Sequence, residues 1–294
     1  MAKLGVITDG ISRDFPYALE VMKEHGLQYA ELQFLHKKEV GDLDAKQLNE
    51  TKALINDYDL KVSSISRHNF AGRSVFDVEV GDQWYQGHME KLQRCIEMAQ
   101  QFGAPIVRTM SFKKEMIIFG DNGAEEWNVA NGAWDKTVQL FRPIVELAER
   151  EGITLAVETG NNAIITSTAL GKKLIDDLGT NHLKIMWDPA NSLFCHEDPT
   201  QALQNLEGGY LGHVHMKDIN VFIEQARISN CPLGQGQMAP HLPAIAEWLD
   251  KNYSGAISLE SVYRPQDGTF EDGFRASFNK FQSQFSGIKQ TELA

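Results

Sequence analysis

Short apolar runs alternate with longer amphipathic stretches from one end of the chain to the other. The short runs fall at residues 4–9, 29–34, 61–68, 105–110, 153–158, 183–188, 208–220 and 256–261, and several show the period of two that a strand requires. Between and after them, helical periodicity marks residues 14–25, 44–58, 83–103, 134–152, 167–178, 199–206, 242–252 and 271–285. Ser12 or Asp14 is placed to cap the first helix and Gly26 to stop it, while Gly179 stops the fifth. Eight strand–helix pairs in one pass predict a parallel sheet, and eight is the count that closes into a (β/α)8 TIM barrel. The expected organisation is one α/β domain over residues 1–286, with an insertion at 111–132 too long for an ordinary loop. Residues 287–294 read as a polar, frayed tail. A doubly wound open sheet is the alternative, but the first strand leads into DGISRDFP and not into a GxGxxG turn.

Composition narrows the partners. The 294 residues carry a formal net charge of −12 with no basic patch or stripe, which disfavours nucleic acid. No run approaches the length of apolar chain that spans a membrane, and the opening MAKLGVITDG has no signal-peptide character. Cys95, Cys195 and Cys231 are scattered, odd in number and outside any CxxC spacing, as expected of a reducing compartment. The expectation is a cytoplasmic protein whose partner is a small molecule.

Residues 208–220, GGYLGHVHMKDIN, carry the first sign of chemistry. Val214 and Met216 point one way, and His213, His215 and Lys217 the other. An imidazole-rich inner face suits a barrel, where helices cover the outside and chemistry sits at the C-terminal strand ends. Three other late strands share this phase. Leu155 and Val157 face outward and Glu158 inward; Ile185 and Trp187 outward and Asp188 inward; Ile257 and Leu259 outward and Glu260 inward. Neighbouring strands would bring Glu158, Asp188, His215 and Glu260 to one mouth, where the three carboxylates repel one another unless a cation joins them. The set is expected to hold a divalent metal ion, Mn²⁺ first, with Co²⁺, Mg²⁺ or Zn²⁺ as alternatives. It lacks the thiolates of a structural zinc site.

Such an ion would polarise a hydroxy-ketone, with Glu158 and Glu260 as catalytic acid and base around a metal-stabilised enediolate. Return of the proton to the other face makes an epimerase, and return to the neighbouring carbon an isomerase. Expulsion of a β-leaving group makes a lyase or dehydratase of a keto-polyol or 3-keto-glycoside. His68, Arg108 and Lys217, at strand ends in inward phase, are expected to bind substrate. Trp127 of the insertion, with Phe112, could close over a sugar face or pack under its own loop. Glu31 and Gln33 rank below these, and His213 reads as a satisfied interior imidazole. His36, His88, His182, His196 and His241 read as surface histidines. The loop PLGQGQ has glycines but no Lys or Arg, which favours a substrate without phosphate.

The segments VETG at 157–160, WDPAN at 187–191, HVHMKD at 213–218, PLGQG at 232–236 and SLES at 258–261 resemble the signatures of the xylose isomerase-like TIM barrels. That group includes D-tagatose and D-psicose 3-epimerases, hydroxypyruvate isomerase, inosose dehydratase and endonuclease IV. The resemblance spans nearly the whole chain. It implies metal ligation by Glu158, Asp188, His215 and Glu260, acid–base work by the two glutamates, and a homo-oligomer. Two positions depart from the ketose epimerases. Asn191 stands where they typically carry His, and Lys217-Asp218-Ile219-Asn220 replaces a segment with Glu and an Arg pair. Asn191 is counted with the substrate-binding candidates by its position.

Overall fold

In a computed structural model, which describes residues 3–117 and 131–287, each apolar run becomes a parallel strand paired with the next in sequence. The strands are β1 (Lys3–Ile7), β2 (Tyr29–Leu32), β3 (Lys61–Ile65), β4 (Ile106–Thr109), β5 (Thr154–Glu158), β6 (Leu183–Trp187), β7 (Leu211–Met216) and β8 (Ala256–Leu259). β8 pairs back onto β1, with Leu4 beside Ile257, so the expected barrel closes. Trp127 and most of the 111–132 insertion lie outside the described residues.

The helical shell is α1 (Phe15–Glu24), α2 (Ala45–Asp57), α3 (Gln83–Phe102), α4 (Ala133–Glu151), α5 (Thr168–Leu178), α6 (Pro189–Phe194), α7 (Pro199–Leu206), α8 (Leu242–Asn252) and α9 (Phe270–Phe285). Its ends follow local chemistry. Asp14 caps α1, Asp44 and Gln47 form a capping box on α2, and Gly103, Gly152 and Gly179 turn the chain left-handed after α3, α4 and α5. No helix of the described residues is long and apolar enough to cross a membrane.

The outward strand residues and the inward helix faces merge into one apolar layer, including Val6, Leu155, Val157, Ile185, Trp187, Val214 and Ile257. Inside the barrel Ile106, Ala156 and Met186 form a small apolar cluster of their own. The rest of the lumen is buried polar surface, with Glu31, Ser64, Ser66, Arg108, His213, His215 and Ser258. A lumen of this kind must satisfy itself by hydrogen bonds and charge pairing, because each unmatched polar group there costs free energy.

Several elements differ from the sequence expectation. The strand expected at 61–68 ends at Ile65, so His68 lies in the following loop. The run at 29–34 ends at Leu32, and Phe34 opens a small antiparallel pair with Glu39, leaving its ring exposed. After β7, residues Asp218–Phe222 and Arg227–Cys231 form an antiparallel hairpin that the pattern did not predict.

His88 is not a surface histidine. It is half-buried on α3, and its Nδ1 accepts the Phe70 N–H at 3.0 Å. That bond holds Phe70 at φ +61°, a conformation that costs a bulky residue energy, and packs its ring among Tyr85 and Phe112. Phe112, also left-handed at φ +64°, donates its N–H to the Phe70 carbonyl and is buried against Phe70, Trp84 and Phe141. Burial lowers the His88 pKa to about 4, helped by Arg67 and Arg73 against an opposing Glu39. The unfolded imidazole takes a proton near 6.5 and the folded one only near 4, so His88 stabilises the fold above pH 6.5 and loses that contribution as pH falls toward 4. Discounted for partial exposure, the loss is roughly 1–2 kcal/mol. Urea unfolding at pH 7 and pH 4.5 should show a smaller acid loss in His88→Gln than in the parent; equal losses would exclude His88 as the source.

Candidate active site

Four of the sequence-predicted side chains project from successive late strands at the C-terminal mouth. Glu158 ends β5, Asp188 follows β6, His215 lies on β7 and Glu260 follows β8. The Glu260 N–H continues the β7–β8 pairing by donating to the Met216 carbonyl at 2.9 Å. Asp188 is also the N-cap of α6, its Oδ1 accepting from the N–H groups of Ala190 and Asn191 at 3.1 and 3.4 Å. Its Oδ2 is thereby left for the site.

His215 Nδ1 faces Glu158 Oε1 at 3.5 Å and Glu260 Oε2 at 3.6 Å. Neither carboxylate is hydrogen-bonded to it, so a buried imidazole nitrogen stands unpartnered between two acids. Asp188 Oδ2 is also buried without a hydrogen bond, although Lys217 Nζ lies 2.5 Å away as an ion pair off the hydrogen-bonding direction. Lys217 Nζ bonds Glu260 Oε2 at 2.9 Å and so bridges the two acids. Arg108, 2% exposed, donates Nη1 to Glu158 Oε2 at 3.1 Å and Nη2 to the Ser66 carbonyl at 2.9 Å. Its guanidinium is committed to the protein wall, and its place in the site is to hold Glu158.

Glu31 completes the arrangement, and sequence reasoning ranked it too low. A register shift between Ala30 and Glu31 breaks the β2–β3 ladder where the side chain turns into the lumen. Its Oε1 lies 2.9 Å from His215 Nε2 and also takes the Ser66 hydroxyl; its Oε2 lies 2.8 Å from His213 Nε2. An ionised carboxylate only accepts, so both imidazoles donate Nε2–H. In its neutral form His215 therefore has its lone pair at Nδ1, the orientation that a carboxylate behind a metal-ligating histidine imposes. His213 is the satisfied interior imidazole expected, bonded also to Ser258 Oγ at 3.0 Å.

Burial opposes ionisation of every acid here, and the neighbours decide the outcome. At Glu31 the two imidazoles outweigh burial and hold the carboxyl well below its usual range. At Glu158 the Arg108 guanidinium, then His215, does the same. At Asp188 burial prevails over Lys217 and pushes the carboxyl up to about 6. Burial would lower His215, yet Glu31 and Glu158 hold it well above the usual imidazole value, and the acids raise Lys217 likewise.

These residues fit a divalent cation. Glu31, Glu158, Asp188 and Glu260 against Arg108 and Lys217 leave two negative charges when the imidazoles are neutral. Glu158, His215 and Glu260 offer donor atoms within 4.8 Å of one another, and Asp188 Oδ2 and His215 Nδ1 are buried at this cluster without a hydrogen bond. Glu31, His213 and His215 also cluster within that distance. Their separations are those of hydrogen bonds already made, so that group supports His215 from behind.

The remaining predicted residues sit further out. His68 is half-exposed, its Nδ1 2.7 Å from Glu39 Oε1. Asn191 is buried in α6 and donates Nδ2 to the Thr159 carbonyl at 2.9 Å. Asp218, which sequence reasoning left without a role, organises the glycine-rich loop. Its Oδ2 accepts from Gly234 and Gly236 N–H at 2.8 and 3.0 Å, and its Oδ1 from Ile219 and Met238 N–H at 2.8 and 2.9 Å. A Cβ on Gly236 would lie 2.4 Å from Asp218 Oδ1. The loop amides that suggested an anion site thus hold an internal carboxylate.

The sequence matches the family model described as xylose isomerase-like TIM barrel over residues 19–282. A D-psicose 3-epimerase of Ruminiclostridium cellulolyticum is 26% identical over 136 residues, a stretch spanning 45% of this chain and 43% of the relative. The match thus covers under half the length of that curated relative. Among solved structures, an L-ribulose 3-epimerase aligns with a TM-score of 0.70 at 18% identity, over 98% of this chain and 96% of that one. The IOLI protein with a bound zinc atom aligns at 0.74 and 15% identity, over 98% and 100%. At these identities the structural likenesses speak for the fold.

Asp218→Asn would turn an amide N–H toward backbone donors and remove the charge they share. It should cost about 2–3 kcal/mol in urea unfolding; an unchanged midpoint would show that the loop holds itself.

Proposed function

The chain belongs to the xylose isomerase-like TIM barrel family, and we propose that within it this protein is a divalent-metal-dependent isomerase or epimerase of a small, non-phosphorylated sugar or keto-sugar. The observation that carries this reading is the pair of glutamates from β5 and β8 converging on one unpartnered imidazole nitrogen. The partial likeness to a D-psicose 3-epimerase supports the same class of chemistry. A divalent cation, Mn²⁺ first, held by Glu158, Asp188, His215 and Glu260 would supply Lewis-acid stabilisation of charge developing on the sugar oxygens.

The protein's own residues account for the proton. Arg108 keeps Glu158 ionised, so Glu158 is ready to take a proton from the carbon beside a carbonyl. Glu260, joined to Lys217, is placed to exchange a proton from its own side of the site. Lys217 has ammonium protons to offer a substrate oxygen while it holds Asp188 and Glu260 together. Glu31 fixes the His215 ring so that Nδ1 stays aimed at the acids. Asn191 and His68 shape the rim in this reading.

EDTA should abolish turnover and Mn²⁺ or Co²⁺ restore it across ketoses, inososes and 3-keto-glycosides followed by NMR in D₂O. Deuterium should enter one substrate carbon without loss of water or aglycone; such a loss would assign a lyase instead. Glu158→Gln and Glu260→Gln should each slow that exchange by about 10²–10⁴-fold, and exchange persisting in both removes their roles. Glu31→Gln should weaken Mn²⁺ binding by about 10–100-fold in calorimetry, whereas unaltered affinity would make Glu31 purely structural.

A further inference from the structure

Beside Glu260 the mouth opens into a second cavity of about 160 Å³. Its walls come from the ends of β1, β2 and β8 and from the segment leading into α1. Asp9, Arg13, Gln33 and Ser261 line it together with Glu260, and Phe270 closes one side at the start of α9.

Several polar groups here are unused. Ser261 is 4% exposed, and its hydroxyl has no hydrogen-bond partner. A buried hydroxyl without a partner is rare enough to require an explanation. Among the described residues Gln33 is bonded only through its backbone, and Arg13 makes no ion pair. Asp9 Oδ1 accepts the Phe34 N–H at 3.3 Å, which leaves Oδ2 available. The wall thus offers a hydroxyl, an amide, a guanidinium and a carboxylate oxygen, none matched by a neighbour.

Their chemistry selects the ligand. Glu260 is already paired with Lys217, so Asp9 and Arg13 remain as one acid and one guanidinium lining the cavity. A phosphate or carboxylate group would find no surplus positive charge there. A neutral group with adjacent hydroxyls could donate to Asp9 and accept from Arg13, with the Gln33 amide and Ser261 hydroxyl able to do either. The exposed Phe270 ring offers an apolar surface for the C–H face of a sugar.

We propose that this cavity is a subsite for a neutral, polyhydroxylated end of the substrate, a sugar ring or polyol arm lying beyond the reacting carbons. The inference rests on the proposed sugar chemistry for its placement beside Glu260, but its test needs no turnover. In full-length protein with ¹⁵N labelling, methyl β-D-glucopyranoside should shift the Gln33 side-chain amide, and inorganic phosphate should not. Arg13→Ala and Gln33→Ala should each weaken glucoside binding about three- to tenfold, the scale of a lost hydrogen bond. Exchange at a substrate carbon should survive in both variants, with the loss in KM and little change in kcat. Glucoside binding without deuterium exchange keeps the subsite and removes the proposed reaction. Exchange without glucoside binding, equal affinity in both variants, or tighter binding of phosphate than of glucoside overturns the subsite.

Discussion

The constraint on which this barrel depends is charge balance in a buried lumen. Glu31, Glu158, Asp188 and Glu260 share it with two permanent cations, Arg108 and Lys217. Removing an ion from water costs several kcal/mol even after relaxation, so four acids so close together persist only when positive charge is placed among them. The cations are not interchangeable in position. Arg108 is fixed by two contacts to the wall and serves Glu158, while Lys217 reaches two acids from a flexible stem.

The parallel barrel supplies this arrangement because its pleat and closure leave little freedom. Each strand end delivers one inward side chain at a similar height, and neighbouring strands set their spacing. What the pleat does not provide is orientation. The irregularity at Glu31 turns its carboxylate behind His215, and the start of α6 takes one oxygen of Asp188. Asp218 then anchors the loop that follows the hairpin, so the segment after His215 is tied down at the residue next to Lys217. The site is held by backbone geometry as much as by its own contacts.

Much of this was legible in the sequence, for reasons that particular elements make clear. The inward phase of Glu158, Asp188, His215 and Glu260 depends only on strand period, and the helix ends at Gly103, Gly152 and Gly179 depend only on local turn chemistry. Features that depend on a distant partner were not legible. The Glu31 irregularity exists because β3 pairs beside it. Arg108 showed the correct phase, yet its commitment to Glu158 reflects a neighbour fifty residues on. The hairpin after β7 lacks an Asn-Gly or Asp-Gly turn and has Ala226 in the left-handed region at φ +47°. Its residues are half-exposed or exposed over most of their length, so no apolar alternation announces them.

The departures from the ketose-epimerase pattern acquire a physical meaning here. Asn191 uses its amide to tie α6 to Thr159, just beyond β5, which removes that donor from the rim. Lys217, by contrast, sits within the acid cluster, already paired with Asp188 and Glu260. A substrate oxygen in the proposed reaction would have to compete with two carboxylates for that ammonium. A neutral hydroxyl competes poorly, whereas an oxygen gaining negative charge competes well. Lys217 would therefore bind the ground state weakly and the charge-developing state strongly, and only an interaction that strengthens along the reaction accelerates it. The lysine that balances the acids of the lumen is thus suited to favour the transition state over the bound sugar.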